Sequence, residues 1–128
     1  SKIPTTYTDP SGLNPYNSQL STITIKWDES STDEVKQERI ITQKWIANWM
    51  LGNEAWADYR RTGYPKLIPT TDEGNMSGGT VDNKKGARRM PYPSAEYIDN
   101  TVNVQYAVNN YLKRADNMAT DLWWACKP

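Results

Sequence analysis

The 128-residue chain has no histidine, no phenylalanine and one cysteine. Histidine is the commonest general base and the commonest neutral metal ligand, so one absence removes both. Neither a Ser-His-Asp nor a Cys-His constellation can be assembled from these residues alone. The single thiol, Cys126, has no partner for an intrachain disulfide. Beside Trp124 and Lys127 it reads as a small, part-buried hydrophobe near a chain end. No stretch approaches the roughly 20 apolar residues of a membrane-crossing helix. The opening Ser1-Lys2-Ile3-Pro4 lacks the apolar core of a secretion signal, so for an exported protein that signal is expected upstream. Neither sign of charge is in excess: Lys+Arg and Asp+Glu both number 15. Such a balance offers no basic field for phosphate and disfavours nucleic acid as a partner.

Catalytic and metal-binding motifs are equally scarce. Glu38, Glu54, Asp58, Glu73 and Glu96 could in principle supply the carboxylate pair of a glycoside hydrolase. None of them sits in a motif, and Glu38 and Asp58 fall on helices read as solvated or ion-paired. Asp72-Glu73-Gly74-Asn75 hints at a calcium loop but lacks the spaced oxygens and terminal bidentate glutamate, and reads as an exposed turn. No catalytic residue, metal ligand or cofactor is assigned.

What the chain does have is 6 tryptophans and 8 tyrosines. Each of these rings carries a polar tip that needs a partner when buried. They suit a helical core, and equally a half-wet platform that stacks on sugar. Residues 1–30 are rich in Pro, Ser, Thr and Asn and read as an extended segment, ending in the strand-like alternation Ile23-Thr24-Ile25-Lys26-Trp27. Residues 31–63 read as two helices. The first is capped by Ser31 with Glu34 in a capping box and runs to about Leu51, with Gly52 at its end. Ile41, Trp45 and Trp49, with Ile46 and Met50 beside them, make an apolar arc broad enough that the second half should be nearly surrounded. Glu34, Lys36, Gln37, Glu38 and Arg39 should keep the first turns wet. The second helix is expected over Glu54–Arg61 after an Asn53 cap, stopped by Gly63 and Pro65, with Asp58 and Arg61 able to pair. Trp45, Trp49 and Trp56 are assigned to core.

Residues 64–93 are punctuated by Gly and Pro and read as one long loop, docked on another surface or mobile at its Asn75–Thr80 tip. Residues 94–128 supply a third helix, about Val102–Lys113 with Val104, Val108 and Tyr111 near one stripe, and a tail bearing Trp123-Trp124. Three helices cannot sequester so many rings beside so much irregular backbone, whose amides and carbonyls also need partners. The economical expectation is a piece of a larger helical protein.

Five strings, in order, carry a resemblance. They are Ile23-Thr24-Ile25-Lys26-Trp27-Asp28-Glu29, Glu38 to Ala47 (ERIITQKWIA), Glu54 to Pro65 (EAWADYRRTGYP), Arg88 to Tyr97 (RRMPYPSAEY) and Thr120-Asp121-Leu122-Trp123-Trp124. Together they resemble the C-terminal part of SusD/RagB-like outer-membrane lipoproteins. The resemblance implies a mainly α fold: C-terminal helices and long irregular loops of a tetratricopeptide-containing helical protein, with 1–128 as the C-terminal portion. It implies a cell-surface location at the outer membrane through a lipid anchor absent from this chain. The implied partners are a SusC-like TonB-dependent transporter and an oligosaccharide or peptide ligand, with capture rather than catalysis as the activity. A structural module contacting the transporter, with ligand binding carried elsewhere, is the alternative; a glycoside hydrolase ranks below both.

Within that reading, Arg60, Arg61 and Gly63 are assigned to architecture, the arginines meeting carbonyls in a last helical turn and the glycine allowing reversal. Arg88 and Arg89 repeat the theme before Pro91-Tyr92-Pro93. Trp27, Trp123 and Trp124 lie outside the helices and are the candidates for stacking on sugar. Expressed alone, residues 1–128 are expected to aggregate or show molten behaviour. A sharp cooperative melt of the isolated chain would count against its being a fragment.

Overall fold

A computed structural model describes residues 21–125. Cys126 and most of the segment expected to be extended lie outside them. The chain divides into two compact units, Ser1–Thr71 and Asp72–Pro128. Among the described residues all regular structure is helical, so the mainly α class holds. The Ile23–Trp27 alternation forms no strand. A strand needs a neighbouring edge, and here the Thr24 carbonyl accepts instead from Arg39 Nε at 2.8 Å.

In the first unit, α1 spans Asp33–Ala47. Its cap is Thr32, whose hydroxyl accepts from the Val35 amide at 3.4 Å. The expected capping box is not made. Ser31 Oγ donates to Asp28 at 3.0 Å, and Glu34 accepts from the Tyr64 hydroxyl at 2.6 Å. The helix stops at Ala47 rather than near Leu51, because Asn48 leaves helical geometry and its carbonyl takes the Leu51 amide at 2.8 Å. Gly52 therefore opens α2 (Gly52–Thr62) instead of closing α1. At the far end Gly63, at φ 79°, adopts the left-handed conformation and its amide bonds to the Tyr59 carbonyl at 2.8 Å.

After α2 the chain runs back along the first half of α1: Lys66 pairs with Glu38 at 3.2 Å, alongside the Tyr64–Glu34 bond at 2.6 Å. Glu38, met by this return, and Arg39, met by Thr24 and Trp27 of the segment before α1, are buried rather than wet as their charge suggested. The Glu34 carboxylate also pushes the Tyr64 hydroxyl pKa up to about 12, through its hydrogen bond foremost.

In the second unit the loop after Asp72 is organised by Asn75. Its amide donates to the Val81 carbonyl at 2.7 Å and to Asn83 at 2.5 Å, while its oxygen accepts from Ser77. The helix expected over Val102–Lys113 appears as α4 (Thr101–Ala107) running into a π-helical turn, Val108–Leu112, and a short helix that was not expected, α3 (Ser94–Asp99), precedes it. The break falls at Asn100, whose φ of −138° leaves the helical region. In the π turn the Lys113 amide reaches back five residues to the Val108 carbonyl at 2.8 Å. That extra residue shifts the stripe. Val104 is buried, whereas Tyr111 is exposed and meets Tyr106 edge-on at 5.9 Å.

The second unit is held at Asp116, whose side chain is only 7% exposed. It accepts from the Arg89 guanidinium, from the Tyr97 hydroxyl at 2.6 Å and from the Tyr92 amide at 3.1 Å. Burial favours the neutral acid, but the Arg89 hydrogen bond foremost, with those of Tyr97 and Tyr92, outweighs it and holds the carboxyl below its ordinary range. Arg88 beside it pairs with Asp121 at 2.6 Å, and its amide donates to the Met118 carbonyl at 2.7 Å. Replacing Arg89 with Met strands a buried carboxylate and is expected to cost about 3–5 kcal/mol. Arg61→Met, removing a half-exposed cation, is expected to cost no more than about 1 kcal/mol. Denaturant titration of the two variants measures the difference.

Candidate functional site

The three rings proposed from the sequence are divided between the two units. Trp27 belongs to the first unit and is 44% exposed. Its indole N–H donates to Glu29 at 2.7 Å, and Lys36 and Arg39 each lie 6.0 Å from the ring centroid. Trp27 is thus engaged along its polar edge and flanked by cations. Arg39 is itself buried, and its Nη1 has no hydrogen-bond partner. Trp123 and Trp124 belong to the second unit. Trp123 is 86% exposed, and Trp124 is half-buried.

What the fold does bring together is a different set of rings. Trp45 on α1, Trp49 on the turn that follows, and Trp56 and Tyr59 on α2 line a cleft of about 300 Å3 with Asn48 and Leu67. The short 48–51 connection folds α2 against the end of α1, so rings spaced along two helices converge. The assignment of all three tryptophans to core needs correction: Trp49 is 77% exposed, and Trp45 and Trp56 are only half-buried. The second half of α1 is likewise not surrounded, since Ile46 is exposed, as are Met50 and Leu51 just beyond it. The clue lay in the breadth of the apolar arc, which is more than one short second helix can cover.

Charged groups frame the cleft's helices. Arg60 lays its guanidinium over the Trp56 ring, 3.7 Å from the centroid, and its Nε donates to the Trp56 carbonyl at 3.4 Å. Asp58 binds α1 to α2: Lys44 approaches one carboxylate oxygen to 2.6 Å and Arg61 the other to 2.9 Å. Lys44 foremost, then Arg61, holds the Asp58 carboxyl below its ordinary range. Asn48 Nδ2 is screened from solvent and makes no hydrogen bond, an unmet donor in the lining of a cleft whose larger side chains are Trp45, Trp49, Trp56, Tyr59 and Leu67. Among the described residues no group of three or more His, Cys, Asp or Glu side chains could hold a metal ion, and no helix is long and apolar enough to cross a membrane.

Residues 1–125 match the SusD-like family, described as Susd and RagB outer membrane lipoprotein. Among solved structures, a SusD homolog from Bacteroides uniformis is 71% identical with a TM-score of 0.91, the match covering 99% of this chain and 26% of that one. A SusD homolog from Bacteroides thetaiotaomicron is 40% identical at a TM-score of 0.80, covering 98% of this chain and 27% of that one. A chitin-binding SusD homolog from Flavobacterium johnsoniae is 39% identical at a TM-score of 0.79, covering 97% and 25% respectively. The chain thus spans about a quarter of the length of these relatives. No curated protein sequence matches it.

The Asp58 cluster generates a pH dependence. Because the folded carboxyl titrates below its unfolded value, near about 3.9, the contribution of the cluster is complete above that value. It is lost as pH falls through the folded pKa. Chemical denaturation followed from pH 6 to pH 2 is expected to show a stability loss that Asp58→Asn flattens.

Proposed function

This chain belongs to the SusD-like family of outer-membrane lipoproteins, and from that premise we propose that it forms part of a non-catalytic receptor for a glycan at the bacterial surface. The observation that carries the reading is the match along nearly the whole chain to a homolog named as chitin-binding, at 39% identity. An oligosaccharide is accordingly the ligand class, delivered to a SusC-type TonB-dependent transporter. Attachment to the outer membrane is through a lipid anchor, in keeping with the family's description as lipoproteins. That none of Glu38, Glu54, Asp58, Glu73 and Glu96 sits in a motif supports capture over hydrolysis, since glycoside hydrolysis runs on a placed carboxylate pair.

The chain's own share in ligand contact falls to Trp123. At 86% exposed it offers a flat apolar face to a sugar ring, whose hydroxyls take polar partners beside it. Trp27 is the weaker candidate because Glu29 engages its indole N–H. Arg60, Arg61, Gly63, Arg88 and Arg89 are proposed as architectural, holding helix ends and loop backbone rather than ligand.

Calorimetric titration of the full-length protein with chito-oligosaccharides and a wider glycan panel tests this. Trp123→Ala is expected to weaken binding by ~2–10-fold, the worth of one ring contact. No binding to any glycan or peptide, with transporter binding retained, would sink the ligand role. Release of shorter sugars by the purified protein would overturn the non-catalytic reading.

A further inference from the structure

The last described turn of the chain displays one ring and is fastened on both sides of it. The Ala125 amide donates to the Leu122 carbonyl at 2.9 Å, which sets Trp123 and Trp124 at the two corner positions of a turn. Ala125 is buried and Leu122 half-buried, whereas Trp123 is 86% exposed. Thr120, also buried, donates its hydroxyl to the Ala115 carbonyl at 2.5 Å, and the Ala119 amide donates to Asn117 at 3.0 Å. Arg88 reaches this stretch from 33 residues away and grips it twice. Its amide donates to the Met118 carbonyl at 2.7 Å, and its Nε donates to Asp121 at 2.6 Å. The Arg88 side chain is 11% exposed and that of Asp121 26%, so the pair is sheltered enough to hold one geometry. These contacts bracket Thr120 and end two residues before Trp123.

We propose that Arg88, through Asp121, is a positioning residue for ligand capture: it holds the turn that presents Trp123, and this rests on the reading of Trp123 as the ring that meets sugar. Burial gives no reason for fastening Trp123 itself, because a ring so exposed returns little of the apolar stabilisation of a docked tryptophan. Stacking, by contrast, needs a ring face fixed in direction. A sugar that meets a mobile indole must also order it, and ordering one such side chain lowers affinity by ~2–10-fold. Fastened beforehand, Trp123 meets the sugar with that ordering already in place. Arg88 touches no sugar in this scheme. It acts through Asp121 and the backbone of 118–121.

The test uses the full-length protein labelled with 5-fluorotryptophan, in which the Trp123 fluorine resonance is the one lost in Trp123→Tyr. In Arg88→Met that resonance is expected to narrow, because a freed indole reorients faster than the protein. Chitohexaose binding, read by calorimetry, is expected to weaken by ~2–10-fold in the same variant. Arg88→Lys keeps a cation for Asp121 but not the planar fork, and is expected to recover part of both. Asp121→Ala, at the more exposed partner, is expected to narrow the same resonance and serves where Arg88→Met does not fold. In a protein already carrying Trp123→Ala, Arg88→Met is expected to cause no further loss of affinity. An equal loss on both backgrounds marks a purely structural role and overturns the proposal, as does a Trp123 resonance unchanged in the variants that fold. Where Trp123→Ala weakens binding and a freed ring in Arg88→Met does not, positioning alone fails. Where Trp123→Ala leaves chitohexaose binding as in the wild type, present or absent, the ligand role of the ring fails and the proposal falls with it.

Discussion

Asp116 sits almost out of water against the Arg89 guanidinium, and Asp58 is similarly sheltered between Lys44 and Arg61. Each unit depends on such a shielded carboxylate with a cation beside it. Removing a charge from water is costly unless a partner and further hydrogen bonds replace the lost hydration. Both sites supply them, and in doing so they join segments distant in sequence. Asp58 couples α2 to α1. Asp116 gathers Arg89, Tyr92 and Tyr97 onto the chain near the tail. Glu38, bound by Lys66 and by Ser21, repeats the arrangement on a smaller scale.

This polar framework stands in for a hydrophobic interior. Among the described residues the buried polar ones, Glu38, Arg39, Asp58, Thr62, Arg89 and Thr120, outnumber the buried hydrophobic ones, Ile41, Ala55, Val104 and Ala125. Large apolar side chains are mostly at the surface, Trp49, Met50, Ile98 and Val102 among them. Hydrophobic burial is the dominant favourable contribution to folding, and in this chain much of it is unrealised. Membership of a family whose solved relatives are about four times as long accords with that imbalance. Within the first unit the ion pairs of Asp58 and Glu38 tie α1 to α2 and to the chain at Lys66.

The sequence was legible where the signal was local. Two helices between residues 31 and 63, a left-handed glycine at position 63 and an Asp58–Arg61 pair follow from cap residues, helix periodicity and three-residue spacing. It was less legible wherever two local signals competed. Ser31 and Thr32 can both cap α1; Asp28 drew Ser31 away and left Thr32 to do it. Gly52 suits a helix end or a helix start equally well, and the Asn48–Leu51 hydrogen bond decided for a start. The division into α3, α4 and a π turn carries no Pro or Gly to announce it. Its outcome, Tyr111 facing solvent, was invisible to a 3.6-residue stripe.

Composition and order of residues were enough to exclude histidine chemistry and an intrachain disulfide, and to carry the family resemblance, because these depend on which residues are present and in what succession. The gathering of Trp45, Trp49, Trp56 and Tyr59 into one cleft, the burial of Glu38 and Arg39, and the exposure of Trp123 depended on the folded chain. Those outcomes are set by which distant segment lies against a side chain, and spacing along one helix does not encode that. A broad apolar arc states that burial is wanted, and the neighbouring backbone determines whether it is obtained.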